Sequence, residues 1–150
     1  MTIVTGIDAE KEILTSDVIV GTEFCYESGK IITNYHNIQE NDDTINLITY
    51  DDKLVKATVT AKDPQRDIAL LDINCDIPSL ELFDSDKCKQ GQSVINISTP
   101  ISAYLRGTYS EGLITNLNIV GFGTQKLMQT NIDLPPDAAE VLYLTRKDVF

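Results

Sequence analysis

The stretch Asp63-Pro-Gln-Arg-Asp-Ile-Ala-Leu-Leu71 carries the clearest strand signal in the chain. The run 68–73 is almost continuously apolar, which is typical of a strand that is buried on both faces. Asp67 stands immediately before this run. Taken alone, an acid at that position is most simply explained as a cap at the start of the strand.

Similar apolar runs lie on both sides of this stretch, and Gly, Asn, Asp and Pro separate them. Strands joined by turns at intervals of about 8–12 residues favour an all-β barrel or sandwich. The predicted strands are 17–26, 31–33, 44–50, 53–61, 68–73, 93–98, 107–115, 117–122, 126–132 and 141–145. One short helix is predicted over 9–14, with Asp8 as its N-cap. The acid-rich stretch 73–86, with Pro78, is the expected seam between two β lobes.

Composition excludes several classes of partner. The chain has 150 residues, of which 42% are hydrophobic, enough for one domain or two small lobes. Its 12 basic and 23 acidic residues give a net charge of −11, which repels nucleic-acid phosphates and anionic lipid headgroups. We therefore expect no nucleic-acid partner and no membrane surface. The chain also has no apolar run long enough for a membrane span, and its start lacks the basic region of a signal peptide.

Cysteine and histidine usage limits the chemistry further. Cys25, Cys75 and Cys88 form no CxxC pair and no Cys/His cluster. We expect three free thiols and a reducing, cytoplasmic location. The single histidine, His36, excludes a multi-histidine metal site. We expect neither a metal nor a cofactor.

Several segments of the chain together resemble a known family. Thr33-Asn-Tyr-His-Asn-Ile38 carries the histidine, and Asp63-Pro-Gln-Arg-Asp-Ile-Ala-Leu-Leu71 carries Asp67. Phe83-Asp-Ser-Asp-Lys87 leads into Gly91-Gln-Ser-Val-Ile-Asn-Ile-Ser-Thr-Pro100, and Ser110-Glu-Gly-Leu-Ile-Thr115 and Met128-Gln-Thr-Asn131 follow. The order of these segments and their residues resemble the motifs of the trypsin-like serine proteases of the HtrA (Deg) type. That family has Thr-Asn-x-His-Val-Val and Asp-Pro-x-x-Asp-Ile-Ala-Leu-Leu at the first two places.

The resemblance implies a catalytic triad, in which an imidazole takes a proton from a serine and a carboxylate fixes the imidazole's tautomer. His36 matches the base and Asp67 matches the orienting acid. Without this context, His36 would be a solvated or core histidine. We predict a hydrogen bond between Nδ1 of His36 and a carboxylate oxygen of Asp67, shorter than about 3.2 Å.

The third member of the triad does not match. Counting from Gln129-Thr130, the family's Asn-Pro-Gly-Asn-Ser-Gly-Gly aligns with residues 135–141, and the nucleophile position falls on Ala139. Asp137 replaces the glycine whose backbone N–H helps to bind the oxyanion, and a carboxylate there repels a developing negative charge. Glu140 and Val141 replace two further small residues. Ser110 and Thr130 do not restore a nucleophile, because they belong to strand-like segments elsewhere, and Cys88 is expected to be a buried substitute for an apolar residue of the family.

One further acid falls at a specificity position of the family. Asp133 lies six residues before Ala139, where trypsin-like proteases place the floor of the pocket for the side chain that precedes the cleaved bond. In trypsins, an acid at this position selects substrates with Lys or Arg before the cleaved bond, so the resemblance implies such a preference. The alternative is a solvated loop acid.

These observations predict an all-β, trypsin-like double β-barrel with an incomplete second barrel, because few residues follow position 139. One domain is expected over 1–150, with the first barrel at about 17–76 and a partial second barrel at about 80–150. The expected function is that of an inactive serine protease homologue that binds a polypeptide and that can associate through open sheet edges. The alternatives are an active endopeptidase completed by a serine from another segment or chain, and an unrelated small β-domain.

Overall fold

The computed structural model describes residues 2–5, 19–38, 44–99, 107–120, 126–133 and 142–145. In these ranges the chain forms strands β1 Thr2–Thr5, β2 Ile19–Glu27, β3 Lys30–Thr33, β4 Thr44–Ile48, β5 Leu54–Asp63, β6 Ile68–Ile73, β7 Ser93–Ser98, β8 Thr108–Val120, β9 Lys126–Thr130 and β10 Leu142–Thr145. Two 3-10 helices span Tyr35–Asn37 and Ser85–Lys87. No helix within the described ranges is long and apolar enough to cross a membrane. The helix predicted over 9–14 lies outside them.

Six of the described strands form a closed antiparallel barrel in the order β1-β2-β3-β6-β5-β4. The sequence pattern predicts five of them. The remaining strand, β1, pairs with both β2 and β4 and so closes the barrel, although it precedes the boundary expected at residue 17.

The barrel core consists of side chains that alternate along the strands. Ile31 on β3, Leu47 on β4, Ala57 on β5 and Leu71 on β6 are fully buried. The expectation that β6 is buried on both faces is wrong, because Ile68 is 39% exposed and the burial alternates along the strand. The apolar run therefore has one core face and one partly solvated face, as antiparallel sheets commonly do.

The second sheet has the order β10-β7-β8-β9. Its strand β8 has 13 residues, where the sequence predicted two strands, 107–115 and 117–122. The register with β9 shifts beside Asn116, whose Oδ1 accepts a hydrogen bond from the backbone N–H of Asn118 at 2.9 Å. A β-bulge thus keeps the polar residue inside one continuous strand.

The strand order of the second sheet repeats part of the barrel. In the barrel, the run β4-β1-β2-β3 is closed by β5 and β6, and the run β10-β7-β8-β9 has the same order. Among the described residues, no strand pair joins β9 to β10. The described part of the second lobe is therefore a curled half-barrel, in agreement with the predicted all-β, trypsin-like class.

A hydrogen bond connects the two sheets next to the histidine segment. Thr99, which follows β7, donates its backbone N–H to Oγ1 of Thr22 in β2 at 2.9 Å. Oγ1 of Thr33 donates to the carbonyl oxygen of Thr22 at 3.1 Å. The end of β3 and the end of β7 are thus held against the same residue of β2.

Candidate active site

The histidine is carried on a short turn that is anchored to the barrel. After β3 ends at Thr33, the chain passes through Asn34 into the 3-10 helix Tyr35–Asn37. Asn37 is buried, and its side-chain amide donates to Oγ1 of Thr33 at 3.2 Å. This anchor holds one side of the turn in the barrel wall. His36, on the other side, keeps 47% of its side chain exposed.

The acid is carried on the turn between β5 and β6. Oδ1 of Asp63 accepts the backbone N–H groups of Gln65 and Arg66, each at 3.1 Å, and the Arg66 guanidinium lies 2.7 Å from Oδ2. Asp63 thus supplies the acceptors that shape this turn, a common use of Asp. The turn ends in Asp67, whose φ of 56° lies in the left-handed region.

The two turns meet at the Asp67 carboxylate. Nδ1 of His36 lies 2.7 Å from Oδ2, and the backbone N–H of His36 donates to Oδ1 at 2.9 Å. The predicted hydrogen bond between these two residues is therefore confirmed. Nδ2 of Asn34 lies 3.1 Å from Oδ2 and 3.3 Å from the Asp67 carbonyl oxygen.

Hydrogen bonding keeps this carboxylate ionised. Partial burial raises the pKa of Asp67, but hydrogen bonds from the His36 backbone, the His36 ring and the Asn34 amide outweigh it, and the pKa is lowered. An ionised carboxylate can only accept, so the ring hydrogen of neutral His36 is on Nδ1. The lone pair of the ring is then on Nε2, the arrangement that a general base requires.

Of the other predicted site residues, only Asp133 lies in the described ranges, and no hydrogen bond or ion pair within those ranges joins it to the dyad. Asp133 is exposed in the segment after β9, and its role in a specificity pocket stays a prediction. Asp137 and Ala139 lie outside the described residues, and so do Glu140 and Val141. Sequence reasoning missed Asn34. The residue belongs to the Thr33-Asn-Tyr-His segment, but its contact with Asp67 is formed only by the fold.

The thiols form no disulfide, and the part of the chain that the structure describes holds no second cluster of metal-binding side chains. All three cysteines are free: Cys25 is buried, while Cys75 and Cys88 are half-buried. Burial raises the pKa of both half-buried thiols, which makes them weak nucleophiles. No group of three or more His, Cys, Asp or Glu side chains within the described ranges could hold a metal ion.

Comparison with known proteins identifies the family. A family model described as a trypsin-like peptidase domain matches residues 21–138. The chain belongs to this family. A probable periplasmic serine endoprotease, DegP-like, of Rickettsia conorii is 36% identical over 102 residues, which are 66% of this chain and 20% of that protein. A DegP-like protein of Halomonas elongata is 32% identical over 114 residues, which are 75% of this chain and 22% of that protein.

Solved structures show the same trypsin-like fold. The HtrA-type protease AlgW, in a structure with a decapeptide, matches with a TM-score of 0.70 and 22% identity, over 85% of this chain and 40% of that chain. Deg5 matches with a TM-score of 0.66 and 23% identity, over 84% of this chain and 68% of that chain. The resemblance to HtrA-type proteases is thereby confirmed. The chain spans about a fifth of the length of the curated relatives described above.

Proposed function

We propose that this chain is an HtrA-type serine protease domain that does not hydrolyse peptides and acts by binding polypeptides. The observation that carries the proposal is Ala139 at the nucleophile position, counted from Gln129-Thr130. A methyl group cannot attack a carbonyl carbon. His36 and Asp67 then supply a base and its orienting acid, but Ala139 offers no hydroxyl at the position where the family has its serine.

The residues around Ala139 support the same proposal. Asp137 stands where the family has the glycine of the oxyanion hole, and it would bring negative charge to the place where negative charge develops. Glu140 follows where the family has glycine. An isolated loss of the nucleophile would leave these neighbours in place, so the further changes at Asp137 and Glu140 support the proposal that the loop has lost its catalytic chemistry.

Binding of an extended peptide is the proposed activity that remains. The structural neighbour AlgW is described with a decapeptide, and this chain has the same fold. In the second sheet, β9 pairs with β8 and exposes 43% of Leu127 and 37% of Met128. An exposed strand with apolar side chains can add another strand through main-chain hydrogen bonds. Among the described residues, β9 is the last strand of the second sheet. The same edge of the sheet would serve for association with a second copy of the chain.

The second candidate function is peptide-bond hydrolysis with a serine supplied from another segment or chain. The geometry of the dyad favours it, because Nδ1 of His36 is 2.7 Å from the Asp67 carboxylate and the ring is exposed. In that case the endopeptidase would use His36 as the base, and removal of the ring would abolish hydrolysis.

Hydrolysis assays separate these two functions. Casein and a Lys or Arg ester are incubated with the wild type, with Ala139→Ser, and with Ala139→Ser combined with Asp137→Gly and Glu140→Gly. We expect no turnover by the wild type and little by the single variant, because loss of one oxyanion donor typically costs about 10²–10³ in turnover. The control is His36→Ala in each background.

Two different assay results would contradict these expectations, and each has its own meaning. Turnover by the wild type that His36→Ala abolishes would reject the inactive function and establish the endopeptidase. Robust turnover by Ala139→Ser alone would show that only the hydroxyl is missing, and that Asp137 and Glu140 do not impair the loop.

A further inference from the structure

We propose that Asn34 is a positioning residue of the His36–Asp67 pair: its side-chain amide holds the Asp67 carboxylate against the imidazole and thereby fixes the ring tautomer. The proposal extends the proposed function, since it rests on the same pair of residues. It does not depend on whether a nucleophile is present.

The contacts of Asn34 reach Asp67 on two sides. Nδ2 of Asn34 lies 3.1 Å from Oδ2 and 3.3 Å from the main-chain carbonyl oxygen of Asp67. An amide nitrogen carries two hydrogens, so one Asn side chain can donate to both oxygens. The side chain of Asp67 is thereby tied to its own backbone through Asn34, and Oδ2 is the same oxygen that faces Nδ1 of His36.

The side chain of Asn34 does not cap the helix that follows it, although Asn34 occupies the N-cap position. It is the N-cap residue of the 3-10 helix Tyr35–Asn37, and Asn is among the preferred residues there because its side chain accepts a backbone N–H of the first turn. The Asn34 side chain makes no such capping hydrogen bond. The amide is directed to Asp67 instead, which argues for a role in the pair of residues and against a role in starting the helix.

The backbone of Asn34 is itself fixed, so the amide is presented in a defined place. Its carbonyl oxygen accepts the backbone N–H of Asn37 at 3.3 Å. The preceding residue, Thr33, ends β3, and its hydroxyl is bonded to the carbonyl of Thr22. The chain from β3 through Asn34 thus connects the barrel wall to the carboxylate.

The carboxylate needs such support because of its own backbone. Asp67 has a φ of 56°, a left-handed conformation that L-residues adopt only when their surroundings hold them there. The Asp63 turn holds the residue from the side of β5. Asn34 supplies the matching restraint from the side of β3, since it bonds both the carboxylate and the carbonyl of Asp67.

Nuclear magnetic resonance of the full chain tests this role. The variants are Asn34→Ala, which removes the donor, and Asn34→Asp, which keeps the shape and places a second carboxylate toward Asp67. The matched control is Asn37→Ala, whose amide belongs to the same turn but donates to Thr33. The measurements are the titration of the Asp67 carboxyl carbon and the Nδ1–H signal of the His36 ring.

We expect the wild type to show a protected Nδ1–H and an Asp67 carboxyl that titrates below the ordinary range. Asn34→Ala should raise the pKa of Asp67 and expose the Nδ1–H to solvent exchange, and Asn34→Asp should do both more strongly because like charges would face each other. Asn37→Ala should lower stability and shift both signals much less than Asn34→Ala does, since its amide does not contact Asp67.

Two results overturn the proposal. If Asn34→Ala and Asn34→Asp keep the wild-type Asp67 titration and Nδ1–H signal, Asn34 does not position the carboxylate. If Asn37→Ala shifts both signals as much as Asn34→Ala does, the effect is only structural. Peptide hydrolysis by the wild type would reject the inactive function and leave the role of Asn34 intact, so the two proposals fail separately.

Discussion

The left-handed backbone of Asp67 places its carboxylate against His36. With φ at 56°, the residue turns the chain sharply between the Asp63 turn and β6. For an ordinary L-residue this conformation costs about 1–2 kcal/mol, because Cβ approaches the carbonyl oxygen. Asp and Asn tolerate it better than most residues do. The backbone of Asp67 is therefore in an unfavourable conformation, and the hydrogen bonds to its carboxylate offset the free energy that this conformation costs.

This cost can be measured by comparing two variants that both lack the carboxylate. We expect Asp67→Ala to unfold with a free energy about 1 kcal/mol lower than Asp67→Gly, since only glycine adopts a positive φ freely. Chemical denaturation of both proteins gives the difference. Equal stabilities, or a less stable glycine variant, would show that the left-handed conformation is not maintained.

The same carboxylate predicts a pH dependence of stability. The pKa of Asp67 is lowered in the folded protein, so its contribution to the free energy of unfolding is fully present above the ordinary Asp pKa of about 3.9. It is lost as the pH falls through the lower folded pKa, because the unfolded chain takes up the proton first. Asp67→Asn has no such group.

We therefore expect the stability difference between the wild type and Asp67→Asn to shrink as the pH falls from about 6 to about 2. Urea unfolding of both proteins across that range measures it. A difference that stays constant, or that widens in acid, would contradict the lowered pKa.

Strand β8 shows why the sequence pattern predicted two strands, 107–115 and 117–122, where the structure has one. Asn116 interrupts the apolar pattern, and the sequence alone indicates a break there. In the structure the register with β9 shifts on both sides of Asn116; each shift absorbs one extra residue of β8, and the strand continues. Strand propensity describes single residues, whereas a bulge depends on the partner strand, which local sequence does not reveal.

Strand β8 packs closely against the segment after β9 at Gly112. A Cβ on Gly112 would lie 2.5 Å from Oδ1 of Asn131 and 2.6 Å from Cγ1 of Ile132. Asn131 cannot move away freely, because its Oδ1 accepts the backbone N–H of Leu113 at 2.7 Å. We expect Gly112→Ala to lower the free energy of unfolding by about 1–3 kcal/mol.

The control for this prediction is Asn118→Ala, an exposed position of the same strand, which should change stability by less than about 0.5 kcal/mol. Thermal unfolding monitored by circular dichroism compares the two variants. Indistinguishable midpoints would mean that the Asn131 segment shifts at no cost.

For the molecule as a whole, the connection between the barrel and the second sheet depends on Thr22. Its hydroxyl accepts the backbone N–H of Thr99, which is buried. We expect Thr22→Val, which keeps the shape and removes the acceptor, to cost about 1–3 kcal/mol of stability, and Thr22→Ser to cost less because the hydroxyl stays. Denaturant unfolding of the two variants would contradict this if Ser were as destabilising as Val.

Much of the fold and part of the site could be predicted from local patterns. Alternating and apolar runs located the strands of the barrel, and two ordered motifs brought His36 and Asp67 together. Their 2.7 Å contact confirms that step. The role of β1 in closing the barrel could not be predicted, because its pairing with both β2 and β4 is a long-range contact that the local residue pattern does not reveal. The contact of Asn34 depends on the backbone turn at Asp67, which no residue pattern specifies.

We propose that this HtrA-type domain retains the base and its orienting acid but has no serine at the nucleophile position. Labelling with a fluorophosphonate probe tests it most directly, because the probe forms a covalent bond only with an activated serine. The wild type is labelled beside active trypsin as a positive control and beside His36→Ala, and the products are read by mass spectrometry. We predict no labelled residue in the wild type. A serine that is labelled in the wild type and not in His36→Ala would show that the domain has an active nucleophile, and would reject the proposal.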